Sequence, residues 1–230
     1  MGKAAETSIV LKYSIIWCAS FVAFKLQGDG ILKKAYVVFV ALATVAIILS
    51  VVGALIFYSR FQTYLENFEN GFGEWSADAD VPEDPNNPGH LVEWHINRVA
   101  NVSHFGQYSL ELFIDGRQDD GTIWIERRIE LKKRSQVKVS FWLYNEQESF
   151  NTRAVVCAYI GAEDPEVEGD FTVLGSADEV AGWKNYAHTA IIGADSSGEF
   201  WVAVGISVRW ETYLTYYVDY VEIEVFESFL

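Results

Sequence analysis

From Ala35 to Tyr58 the chain reads AYVVFVALATVAIILSVVGALIFY, with no charged residue. A helix of that length reaches about 36 Å, enough to cross a hydrocarbon layer of about 30 Å. A transmembrane helix is therefore predicted over 35–59, with Tyr36, Phe57 and Tyr58 where interfacial rings belong. The run exceeds the roughly 7 to 15 apolar residues of a cleaved signal, and no A-x-A-like site closes it, so it reads as an uncleaved anchor. Lys25, Lys33 and Lys34 precede it, whereas Arg60, Glu66 and Glu69 follow. By the positive-inside rule this makes 1–34 a cytoplasmic segment, and the protein a cell-membrane protein with an extracytoplasmic C-terminal domain. Upstream, Ser8 to Phe24 is also mostly apolar, with Lys12 inside it. It reads as a second helix making the protein two-pass, as an interfacial helix, or as a segment docking on a membrane partner.

Beyond the anchor, RFQTYLENFE continues the helix briefly as a stalk over 60–67, which Gly71 and Gly73 end. The period then drops to two. Strands are predicted over 108–114, 122–131, 136–144, 153–160, 183–192, 199–208 and 213–225. They are separated by turn clusters such as Asp119-Asp120-Gly121 and Asp195-Ser196-Ser197-Gly198. Strands of this spacing without βαβ alternation specify an all-β domain over 68–230, an antiparallel β-sandwich or jelly roll.

Alternation sorts the side chains into faces. Val137, Val139, Phe141 and Leu143 face a core, as do Phe200, Val202, Val204, Ile206 and Val208 and, on a third strand, Ile123 and Ile125. That leaves Trp142 and Tyr144, Trp201 and Arg209, and Trp124 with Glu126 and Arg128 on outward faces. If those strands adjoin, Trp124, Trp142, Tyr144, Trp201 and Arg209 form a ligand-binding surface. The competing reading is that the rings cover a sheet against a loop or subunit. Trp94 lies in a long connection, 81–101, and is a sixth ligand candidate; Trp75, Trp183 and Tyr186 read as core or corner residues.

Charge narrows the partners. Residues 1–59 hold five basic and two acidic residues and the remainder 12 and 30, for formal charges of +3 and −18. So acidic a body, without a basic stripe, repels phosphate backbones, which excludes nucleic acid and leaves neutral or cationic ligands and divalent cations. Cys18 and Cys157 fall on opposite sides of the anchor, so no disulfide within the domain is expected. No catalytic constellation emerges: His90, His95, His104 and His188 lack zinc-type spacing, and the carboxylates of 163–170 read as a solvated loop or, alternatively, as an extra cation site. The protein is expected not to be an enzyme. Asn101-Val102-Ser103 is a glycosylation sequon.

The order of motifs resembles that of carbohydrate-binding modules of the galactose-binding-like jelly-roll class. Phe68-Glu69-Asn70-Gly71 and Trp75 come first, followed by Gly106-Gln107-Tyr108-Ser109-Leu110-Glu111-Leu112, 137–144, Gly182-Trp183-Lys184-Asn185-Tyr186 and 216–223. The resemblance implies a glycan partner and a structural Ca²⁺ tying the first strand to the last through Glu69 and Asp219. A carboxylate pair closing two chain ends suits a hard cation. The alternative is that Glu69 caps a turn and Asp219 accepts nearby backbone hydrogen bonds. Two functions follow: a membrane-anchored, non-catalytic glycan-binding module, or an accessory subunit whose sandwich contacts protein partners in a larger membrane assembly.

Overall fold

The computed structural model describes residues 30–58, 61–131, 134–193 and 198–227, so the Ser8–Phe24 segment, Cys18 and the 195–197 turn lie outside the described residues. Two compact units divide near residue 57. The first contains helix α1, Gly30–Tyr58. Its stretch Tyr36–Ala54 is long and apolar enough to cross a membrane. Val37, Phe39, Leu42, Ile48 and Leu49 are all exposed, so the apolar surface runs around the helix. Its aliphatic hydroxyls turn back onto the helix, Thr44 to the Val40 carbonyl (2.7 Å) and Ser50 to that of Ala46 (2.8 Å). A polar side chain satisfied in this way suits hydrocarbon surroundings.

The second unit is an antiparallel sandwich of eleven strands among the described residues. One sheet contains β3 (Trp94–Val99), β4 (Ser109–Asp115), β11 (Tyr213–Glu227), β6 (Ser135–Asn145) and β9 (Gly182–Ile192), in that order, with β1 (Phe61–Glu66) also on β11. The other runs β2 (Ser76–Asp80), β5 (Thr122–Glu130), β10 (Glu199–Val208), β7 (Ala154–Gly161), β8 (Thr172–Ser176). Between the sheets the inward rows close a core that includes Val139, Phe141, Leu143, Phe200, Val204, Ile206, Ile123 and Ile125, all essentially inaccessible. Period-two patterning puts each row on one side of its pleat, so burial of one face fixes the register.

The stalk and the 81–101 connection differ from the sequence expectation. The stalk is not helical: residues 61–66 form β1, paired with 221–226 of β11. FQTYLE alternates as well as it coils, and the unpaired half of a 15-residue strand supplies the edge that decides the matter. The connection 81–101 likewise contains β3, whose Trp94, Ile96 and Arg98 oppose Ile114, Leu112 and Leu110 of β4. Strand β11 changes partner from β4 to β1 at a bulge between Asp219 and Glu222, where Tyr220 takes φ +53°.

Candidate functional site

The outer face of the six-stranded sheet carries a continuous group of rings. Tyr217 of β11 meets Tyr144 of β6 at 5.9 Å between centroids, and Tyr144 meets Trp183 of β9 at 5.3 Å. Register explains this, since Tyr144 is the residue opposite both Tyr217 and Trp183. Trp142 lies two residues before it, on the same side of the pleat. The loop before β4 then adds His104, stacked on Trp142 at 4.1 Å and 18° and edge-on to Trp183 at 5.1 Å. Phe105 follows, 46% exposed and 4.7 Å from Tyr220. Tyr217, Tyr144, Trp183 and Trp142 are all partly exposed. Across the same face, His95 stacks on Phe113 at 4.8 Å, and Phe113 lies 6.2 Å from Tyr213.

Polar groups rim the rings. The Asn101 amide reaches the Tyr217 hydroxyl at 3.4 Å, and Glu111 pairs with His95 at 3.3 Å. Burial pushes the Tyr217 hydroxyl above its ordinary range, with Asn101 pulling the other way and Glu111 adding to the rise. A cavity of about 220 Å³ opens at one end of the face, lined by Asn145, Gln147, Arg153, Tyr213 and Thr215 among others.

The residues flagged by the resemblance hold the loop that delivers His104 and Phe105. Asp219, fully buried, accepts the amides of His104 (2.8 Å) and Phe105 (2.9 Å) on Oδ2 and that of Tyr220 (2.7 Å) on Oδ1. Burial raises its carboxyl against these three amides, which lower it. Glu69 Oε1 accepts the amides of Gln107 (2.8 Å) and Tyr108 (2.9 Å). Gly106 between them has φ +82°, and a Cβ there would lie 2.3 Å from that oxygen. A cation already sits on the first strand's end: Arg98 donates to the carbonyls of Phe68 (2.5 Å) and Glu69 (2.6 Å), with its guanidinium carbon 3.3 Å from the centre of the Tyr108 ring. These carboxylates face amide donors and these carbonyls face a guanidinium, so the residues do not fit a calcium ion here. Among the described residues no group of three His, Cys, Asp or Glu side chains is placed to hold a metal.

The structure does not bring the six sequence-derived ligand residues together. Trp142 and Tyr144 lie on the six-stranded sheet, whereas Trp124, Trp201 and Arg209 lie on or beside strands of the other sheet. Trp124 is fully buried under the β7–β8 connection: its Nε1 donates to Glu126 (2.7 Å) and Phe171 covers its ring at 5.0 Å. Arg209 is paired with Glu168 of that connection at 2.6 Å, and Glu168 also takes the Ser207 hydroxyl at 2.8 Å and gives its amide to Asp80 at 2.9 Å. The acidic 163–170 stretch thus covers a sheet in part. Trp201 remains half-exposed opposite Gly161 and Arg128. Trp94 packs against the core. Trp75 and Tyr186 are core residues as expected, but Trp183 joins the aromatic face. Trp183 alternates with inward Tyr186 across a strand that reads equally well either way, and His104 and Phe105 carry no periodic signal at all.

No family model matches the chain and no curated protein matches it. Solved structures do. A module titled TmCBM61 in complex with β-1,4-galactotriose is 16% identical, over 68% of this chain and 92% of its own, with a TM-score of 0.43. The CBM22-1 xylan-binding domain from Paenibacillus barcinonensis Xyn10C is 14% identical, over 72% and 94%, with a TM-score of 0.44. A third, TmCBM27, titled for specific mannan recognition, is 14% identical over 72% and 98%, with a TM-score of 0.42. The chain's own two antiparallel sheets define its fold.

Proposed function

We propose that residues 61–227 are a non-catalytic glycan-binding module, anchored by α1 to a membrane and exposed on its extracytoplasmic side. The observation that carries this is the row Tyr217, Tyr144, Trp183 and Trp142, four partly exposed rings on three neighbouring strands. Aromatic faces take up the apolar faces of sugar rings, while rim groups such as Glu111 orient hydroxyls. Carboxylates Glu111 and Glu146 beside the rings and the strongly acidic body disfavour uronic and sulfated sugars, so neutral oligosaccharides are the ligand class. Lysines before α1 and acidic residues after it support the orientation. Full-length protein in detergent or nanodiscs, applied to a glycan array, tests the reading: neutral glycans should be retained and charged ones not.

A second reading, contact with a protein partner, draws on a different observation. Phe150 is fully exposed and Trp210 56% exposed, on loops joined by the Arg209 amide to the Arg153 carbonyl at 2.8 Å. Under that reading the protein purifies from native membranes with a stoichiometric partner and the array is blank.

A further inference from the structure

We propose that Asn101 is an N-glycosylation site whose glycan lies on the chain's own aromatic face, an inference that rests on the glycan-binding reading of that face. Asn101-Val102-Ser103 meets the sequon rule, and Asn101 is exposed in the irregular segment between β3 and β4, the kind of loop a transferase can engage. Its Nδ2 lies 3.4 Å from the Tyr217 hydroxyl, at the rim of the ring row. The sugar donor is a polyprenyl-diphosphate-linked oligosaccharide. Nδ2 forms a bond to the anomeric carbon and loses a proton, the bond from that carbon to the phosphate oxygen breaks, and the lipid diphosphate leaves with the electron pair.

One Nδ2 hydrogen remains after this exchange. The first sugar starts beside Tyr217, and the next sugars lie within reach of Tyr144, 5.9 Å further on, and Trp183, 5.3 Å beyond that. A ligand tethered so closely has an effective concentration in the millimolar range and competes with free glycans of comparable or weaker affinity. Glycosylation would then set how much of the face is open to outside sugars.

The test uses full-length protein from native membranes. Tryptic peptide 99–117 should carry sugar mass on Asn101. Asn101→Gln and, separately, Ser103→Ala, which keeps the asparagine, should each bind a soluble neutral oligosaccharide about tenfold more tightly than the glycosylated protein. Unmodified Asn101 with glycan binding intact overturns this proposal alone. Modified Asn101 with equal affinity in all three proteins overturns self-docking. Modified Asn101 with no glycan bound by any form overturns self-docking together with the reading of the face.

Discussion

The buried carboxylate of Asp219 receives the backbone amide of His104 at 2.8 Å, and through it β11 fixes the loop whose imidazole stacks on Trp142. Folding and binding therefore meet at one side chain. Asp219→Asn keeps the shape but replaces one accepting oxygen by an amide donor facing the backbone N–H of His104 and Phe105 or of Tyr220. It should destabilise the domain by roughly 2–3 kcal/mol and weaken glycan binding as well. Tm from calorimetry and affinity from titration, measured on the same preparation, check both effects.

Calcium should not be required. With Arg98 on the Phe68 and Glu69 carbonyls, neither EDTA nor added Ca²⁺ should move Tm, because a ligand that binds the native state raises it. Arg98→Ala should cost roughly 2–3 kcal/mol by leaving two carbonyls without their charged donor. Arg98→Lys should recover only part of that, since a lysine cannot present a planar fork to both.

Seven of the eleven strands were legible as alternation, because each buries one face and displays the other. The missed ones are short or polar. SADAD of β2 has no β-branched residue, and β8 is five residues ending in Gly-Ser. What alternation cannot carry is which sheet a strand joins. Trp142 and Trp201 look alike in pattern, yet β6 pairs with β9 and β11, and β10 with β5 and β7. Nor does local pattern reveal that Glu168, inside an acidic loop, pairs with Arg209, or that Phe171 at the end of that loop covers Trp124.

Trp124 and Trp142 should separate in mutagenesis. Trp124→Ala removes a fully buried indole and should cost roughly 3–5 kcal/mol in stability, with little change in the glycan affinity of the protein that remains folded. Denaturant titration alongside binding tests this, and loss of affinity at unchanged stability would be inconsistent with a covering role.

Acid should stabilise the domain. Burial raises Glu126 from 4.5 to about 7, with Asp164, Asp78 and Glu166 adding to the rise and the Trp124 N–H opposing it. Asp164 is raised too, chiefly by burial, with Arg128 among the groups opposing this. Because the folded state holds the Glu126 proton more tightly than the unfolded chain, this contribution is fully present below pH 4.5 and is lost as pH rises through about 7. Tm should fall between pH 4.5 and 7.5, and Glu126→Gln should flatten that fall.

The most direct measurement is calorimetric titration of neutral oligosaccharides into full-length protein and its Trp142→Ala and Tyr144→Ala variants. Saturable binding by the wild type, weakened at least tenfold in either variant, about 1.4 kcal/mol, with Tm preserved, is the predicted result. Absence of binding to any glycan, or affinity unchanged in both variants, would contradict the assignment of the aromatic face.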